Sequence, residues 1–229
     1  MTNIPARSVL TAFTLLISIC AFAQHKADDF LKRGISLFEK KDYLRAKENF
    51  ERAVELNPDL AEAYYFRGRV QFENEKADAD FTKAIELKPN YAEAYFQRGL
   101  QRDLNNQRLA ALKDYDKAIE LNPNFIDAYM TRAVLYLLDN KGSAAIADYT
   151  KVIELKPDGV SYYVRGNSYL EIGEYAKAIV DLTRSIQLDP TYYWSYKQRA
   201  KAYRKLKKLR PAQADERKAA AIGPPVITQ

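Results

Sequence analysis

Residues 92–125 read AEAYFQRGLQRDLNNQRLAALKDYDKAIELNPNF, and a degenerate version of this text occurs six times along the chain. Prolines mark the interval. Pro58, Pro89, Pro123, Pro157, Pro190 and Pro224 stand 31, 34, 34, 33 and 34 residues apart. A period near 34 predicts one small supersecondary unit stacked many times, each copy touching only its neighbours. Such a stack has no single deep core and offers a long surface, which points to a binding scaffold.

Other positions keep the same step. An aromatic leads each copy at Phe30, Tyr64, Tyr95, Tyr129, Tyr162 and Tyr196, and four residues on stands a small residue at Gly34, Gly68, Gly99, Ala133, Gly166 and Ala200. Later in each copy comes a second set: Ala46, Ala77, Ala111, Ala145, Ala178 and Ala212, then Phe50, Phe81, Tyr115, Tyr149 and Leu182, then Ala53, Ala84, Ala118, Val152, Ser185 and Ala219. Large and small at i and i+4 share one helix face. Small, large, small at i, i+4 and i+7 makes a stripe on a second helix. The proline, in contexts such as Asn57-Pro58-Asp59, ends that helix. Each copy is therefore predicted to be an antiparallel helix pair, and the fold class all-α.

This set of residues resembles the tetratricopeptide repeat family, whose pattern is an aromatic, Leu-Gly, an aromatic, then Ala, Phe, Ala and Pro in a 34-residue frame. The resemblance runs from Ala27 to Pro224 and implies a solenoid of six helix pairs in a right-handed superhelix. The expected units are 27–60, 61–91, 92–125, 126–158, 159–192 and 193–224, after a leader at 24–26 and before a tail at 225–229. Arginine replaces the family's leucine before the small residue in all six units. The second unit is three residues short, because Gly68 to Ala77 spans 9 residues where its neighbours span 12. Its second helix is expected to start late or its turn to tighten. The sixth has Glu216 where the others place Phe, Tyr or Leu.

Residues 1–23 stand outside the period. Met1 to Ser8 carries one cation, Arg7, and Val9 to Ala23 is an apolar run of 15 residues ending Ala21-Phe22-Ala23. This pattern predicts a secretory signal cut after Ala23, with a bacterial periplasm or secretion as destination. An uncleaved anchor and lipid attachment at Cys20 are the alternatives. Removing the signal removes the single cysteine, so the mature chain is expected to be held by packing alone, without disulfides.

With Arg7 removed, 35 basic against 30 acidic residues leave +5. Lys197 to Lys218 holds ten Lys and Arg against Asp215 and Glu216, a local +8, so the rest is about −3. The chain has one histidine, His25, and no Gly-rich phosphate loop or His-Glu metal spacing. No enzyme, cofactor, metal or small-molecule substrate is expected. The repeated arginines (Arg33, Arg67, Arg98, Arg132, Arg165, Arg199) recur with Asp80, Asp114, Asp148, Asp181 and Asp215, with Asn49 in the first copy. An ion-pair ladder between helices is the simplest account, and an anion site lined by arginines the alternative.

The resemblance places binding on the concave face of each first helix. Its implied groove residues are Leu31, Tyr65, Phe96, Leu100, Met130, Val134, Tyr163 and Asn167, with Tyr65, Phe96, Met130 and Tyr163 expected in one exposed line. No unit pairs Lys with Asn at the positions where some relatives clamp a chaperone's terminal carboxylate. The function implied is an exported adaptor that holds a protein or peptide segment. The alternative is an anionic-surface binder, for acidic lipid, polysaccharide or nucleic acid, through a basic patch of Lys197, Lys201, Arg204, Lys205 and Lys208. Nucleic acid is the less expected of these partners. Membrane contact stays open, through that patch or a retained signal.

Overall fold

The computed structural model describes the backbone of residues 6–224 and the side chains of residues 21–224. The described residues form twelve helices and no strand. The first five residues of the expected signal and the tail at 225–229 lie outside them, as does the side chain of Cys20. The contacts divide the chain into two compact units, one ending at Leu121 and one beginning at Asn122. The first holds α1 (Ala6–Glu39), α2 (Tyr43–Leu56), α3 (Ala61–Arg69), α4 (Asn74–Leu87), α5 (Ala92–Leu104) and α6 (Arg108–Leu121). The second holds α7 (Ile126–Leu138), α8 (Gly142–Leu155), α9 (Gly159–Glu171), α10 (Tyr175–Leu188), α11 (Tyr193–Lys205) and α12 (Leu209–Ile222). These are the six helix pairs expected from the period. Within each unit every odd-numbered helix packs on the even-numbered one that follows it. Helix α1 runs without a break across the expected cleavage point at Ala23.

In the first three pairs the seam is a glycine against a ring. A Cβ added at Gly99 would lie 2.6 Å from Tyr115 Cε1, and one added at Gly68 would lie 2.8 Å from Phe81 Cε1. Phe50 fills the same role over Gly34, and Leu182 over Gly166. The missing side chain lets the two helices close on the ring, which leaves Phe50, Phe81 and Tyr115 essentially without solvent contact.

Five of the six turns inside the pairs end their first helix alike. Lys41, Asn106, Asn140, Gly173 and Lys207 adopt φ values of 61°, 59°, 57°, 83° and 58°. The next residue donates its N–H back five positions: Asp42 to Leu37, Gln107 to Arg102, Lys141 to Tyr136, Glu174 to Tyr169 and Lys208 to Tyr203, at 2.7–2.9 Å. This left-handed cap satisfies carbonyls that a helix end leaves open. The second pair has no such residue. There Val70 N–H donates to Arg67 and Gln71 N–H to Gly68, so the helix tightens and stops.

That turn decides between the two expectations: the second helix does not start late, and the chain tightens at the turn. The first helix of the second pair is four residues shorter than its counterpart and the turn after it one residue longer, while its partner helix keeps its full length. Helix α3 has 9 residues where α5 has 13, whereas α4 keeps the 14 residues of its counterparts. The reason is the seam. Ala77, Phe81 and Ala84 must all face Gly68 and its neighbours, which takes a whole α4, while the last turn of α3 can be dropped.

Three of the five turns between pairs are held by the side chain of the residue before the proline. Asn57 Oδ1 accepts from Asp59 N–H at 3.1 Å, Asn122 Oδ1 from Asn124 N–H at 3.1 Å, and Asp189 Oδ1 from Thr191 N–H at 2.9 Å. These side chains replace helix bonds that the proline cannot make.

Candidate functional site

The arginine and aspartate repeats meet as an ion-pair ladder. Arg67 reaches both oxygens of Asp80 through Nε (3.0 Å) and Nη2 (2.5 Å). Arg98 does the same to Asp114 at 3.0 and 2.7 Å, Arg132 to Asp148 at 2.9 and 2.6 Å, Arg165 to Asp181 at 2.8 and 2.9 Å, and Arg199 to Asp215 at 2.8 and 2.7 Å. Each links the two helices of one pair in a bidentate fork. Some reach one pair further back. Arg98 donates to Thr82 Oγ1 at 3.2 Å, Arg165 to Thr150 Oγ1 at 3.2 Å and Arg199 to Thr183 Oγ1 at 2.9 Å. The aspartates are buried and their hydrogen bonds hold the Arg67, Arg165 and Arg199 guanidiniums above the usual arginine range. With both carboxylate oxygens taken, these five forks are not an anion site. In the first pair Asn49 donates to the Arg45 carbonyl at 2.8 Å, and Arg33 lies exposed over the Phe30 ring.

The expected line of exposed aromatics is not what the structure shows. Tyr65 and Phe96 are only 6% and 8% exposed. Tyr65 packs against Phe66, Phe81 and Tyr91 at ring-centroid distances of 5.1, 6.1 and 4.8 Å, and Phe96 lies 5.8 Å from Tyr115. Tyr91 immediately precedes α5, so this position is covered by the residue that leads into the next pair. In the second unit Tyr163 is half-buried and meets Tyr192 edge-on at 5.1 Å in the same way. Met130 is half-buried against the Ala133, Ala145 and Tyr149 cluster, and Leu31 against Ala46, Phe50 and Val70. Tyr65 and Phe96 therefore belong to the core. Of the remaining groove residues, Leu100 and Asn167 are half-buried and Val134 is exposed. The side-chain oxygen of Asn167 is buried with no hydrogen-bond partner.

The missing turn of α3 opens a notch in the first unit. It is a cavity of about 240 Å³ lined by Phe38, Tyr43, Arg69, Gln71, Gln97 and Gln101, with Gly68 and Phe81 at its floor. Two amide oxygens, Gln71 Oε1 and Gln101 Oε1, are buried without a hydrogen-bond partner. Gln71 spends its amide nitrogen on Asp80, at 3.4 Å, which leaves the oxygen free. Arg69 lies over the Phe38 ring at 4.4 Å, with Tyr65 and Phe66 at 5.7 and 6.0 Å. Around the notch thus lie two buried acceptors that lack donors, one cation on an aromatic bed and further amide groups from Gln97. A buried acceptor without a donor is costly, and a ligand N–H relieves that cost. The sequence held the clue as a deletion beside Gln71, but a count of missing residues does not say which helix loses them.

The basic residues divide by partner. Lys197 lies over the Tyr193 and Trp194 rings at 5.7 and 5.1 Å. Lys201 is 3.4 Å from Glu171. Arg204 grips Glu216 at 2.6 and 2.8 Å, which raises the arginine and lowers the glutamate from their usual pKa ranges. Glu216 stands where the other pairs place a ring or leucine, and its carboxylate turns to Arg204. An opening of about 630 Å³ is lined by Lys197, Gln198, Ala200, Lys201, Arg204, Lys205 and Glu216. Lys205 and Lys208 are exposed.

Comparison with known proteins bears on the fold. Family models described as tetratricopeptide repeat match residues 31–92, 92–125, 126–158 and 160–192. No curated protein sequence matches the chain. Among solved structures, the C-terminal part of a TPR repeat-containing protein from Cytophaga hutchinsonii is similar at a TM-score of 0.75 and 20% identity, covering 84% of this chain and 78% of that one. The pilF protein of Pseudomonas aeruginosa is similar at a TM-score of 0.71 and 16% identity, over 87% of this chain and 93% of that one. YrrB, described as a TPR protein with an unusual peptide-binding site, is similar at a TM-score of 0.62 and 22% identity, over 72% and 88%. The glycine-and-ring seam, the proline-ended helix pairs and family matches from residue 31 to residue 192 agree, and the chain belongs to the tetratricopeptide repeat family.

Proposed function

We propose that this chain is an exported, non-enzymatic scaffold that holds a segment of another protein in the notch of its first unit. The observation that carries this reading is the pair of buried acceptors, Gln71 Oε1 and Gln101 Oε1, beside Arg69 on its aromatic bed. An extended peptide supplies backbone N–H groups for such acceptors, and a carboxylate or carbonyl for the arginine. The peptide site named for YrrB supports the general idea of a segment bound by this fold, without fixing where it binds here. Export rests on the 15-residue apolar run and its Ala21-Phe22-Ala23 end. A peptide library selected on the full chain, followed by calorimetry of the selected peptides, tests the reading. Gln71→Leu and Gln101→Leu together are expected to weaken binding at least tenfold, while Val134→Ala leaves it unchanged. Selected peptides that bind the double variant as tightly as the native chain would refute the notch as the site.

A further inference from the structure

The turn between α11 and α12 reads Arg204-Lys205-Leu206-Lys207-Lys208-Leu209-Arg210, and all seven residues are exposed. Leu206 and Leu209 are 38% and 56% exposed. The turn is closed, because Lys207 adopts φ 58° and Lys208 N–H donates to the Tyr203 carbonyl at 2.9 Å. Its shape is therefore fixed before anything binds. Arg204 is occupied by Glu216. Lys205, Lys207, Lys208 and Arg210 remain, and among the described residues none of these four takes part in an ion pair. No acidic residue lies within the turn.

Other turns of the chain expose apolar residues too, but in different company. Leu104 and Leu109, 69% and 74% exposed, stand next to Asp103 and Arg108 respectively. Ile172, 43% exposed, stands between Glu171 and Glu174. Among the described residues, only the last turn joins two exposed leucines to exposed cations with no acidic residue in the turn itself. A phosphate-bearing partner would account for the cations but gives the leucines nothing to enter. The interface of an anionic bilayer offers both, since phosphate headgroups there lie directly over hydrocarbon.

We propose that the turn between α11 and α12 docks on anionic lipid bilayers. Leu206 and Leu209 enter the boundary of the acyl chains, and Lys205, Lys207, Lys208 and Arg210 contact the headgroup phosphates. This surface is separate from the notch and does not depend on it. The apolar run at residues 9–23 can also meet lipid, so the test reads the turn itself. In full-length Cys20→Ser protein, an environment-sensitive dye is placed on Leu209→Cys, or on Leu109→Cys as the control. Vesicles are phosphatidylcholine alone or mixed with phosphatidylglycerol. The dye at 209 is expected to shift to an apolar signal on the mixed vesicles only, and to lose the shift in high salt. The dye at 109 is expected not to shift. In flotation, Lys205→Ala with Lys208→Ala and Arg210→Ala, and separately Leu206→Ser with Leu209→Ser, are each expected to lower the anionic-lipid-dependent fraction at least tenfold. No shift at 209, an equal shift on neutral vesicles, or an equal shift at 109 overturns the proposal. So does full binding by the serine variant, which would instead mark a purely ionic site for a soluble polyanion such as heparin.

Discussion

Asp114 shows what single residues do in this chain. Its two oxygens take Arg98 from the same pair at 2.7 and 3.0 Å and Arg102 at 2.9 Å, and Arg102 goes on to Asp78 of the preceding pair at 3.1 Å. The carboxylate is buried, so this is a desolvated junction and not a surface bridge. That Arg and Asp would pair was legible from their equal spacing alone. The direction of Tyr65 and Phe96 was not. Spacing fixes the helix face on which a residue stands, but not whether a neighbouring ring folds over it, as Tyr91 does over Tyr65 and Tyr115 against Phe96. The burial of Phe96 sets its prediction. Phe96→Ala should cost about 3–5 kcal/mol of stability, as large-to-small changes in a packed core do. Denaturant melts of the native chain and the variant check this. A variant as stable as the native chain would return Phe96 to an exposed groove.

Among the elements, α3 is the exception that matters. The deletion was visible in the sequence, as was the weakness it implies. Which helix would shorten depended on a packing conflict that no count of residues contains. The seam of Ala77, Phe81 and Ala84 against Gly68 kept α4 whole, and α3 gave up its last turn. With that turn went the left-handed cap found at the other five turns. In a stack where each pair leans only on its neighbours, an uncapped helix end opens more readily. Amide exchange of Val70 to Asn74 should therefore be faster than that of Asn105 to Leu109, where the cap is present. Hydrogen exchange resolved by residue measures both segments, and equal protection would contradict this account of the turn. The same missing turn leaves Gln71 and Gln101 with unanswered oxygens, so the expected weakness and the candidate site have one cause.

At the scale of the whole molecule, several tyrosines are buried, and this gives the chain a pH signature. Burial pushes the hydroxyl of Tyr149 up to about 12 and raises those of Tyr91 and Tyr115 further, while Tyr65, Tyr163 and Tyr192 are raised as well. The unfolded chain releases these protons near the ordinary value of 10.0. Above that pH the unfolded state binds fewer protons than the folded one, so stability falls as pH rises. Full stability is expected below pH 10, with a progressive loss toward pH 12 in step with the folded-state titration. Melting temperatures across that range, with phenolate absorbance recorded alongside, check it, and a flat profile would mean that these rings are not buried. The central claim is that the notch of the first unit holds a segment of another protein. A photo-crosslinking residue placed at Gln97, inside the notch, and separately at Val180, exposed on α10, tests it most directly in cells that make the protein. The account predicts a covalent protein adduct from position 97, lost on adding Gln71→Leu and Gln101→Leu, and none from position 180. Adducts from position 180 alone, or from position 97 undiminished by the double change, would contradict it.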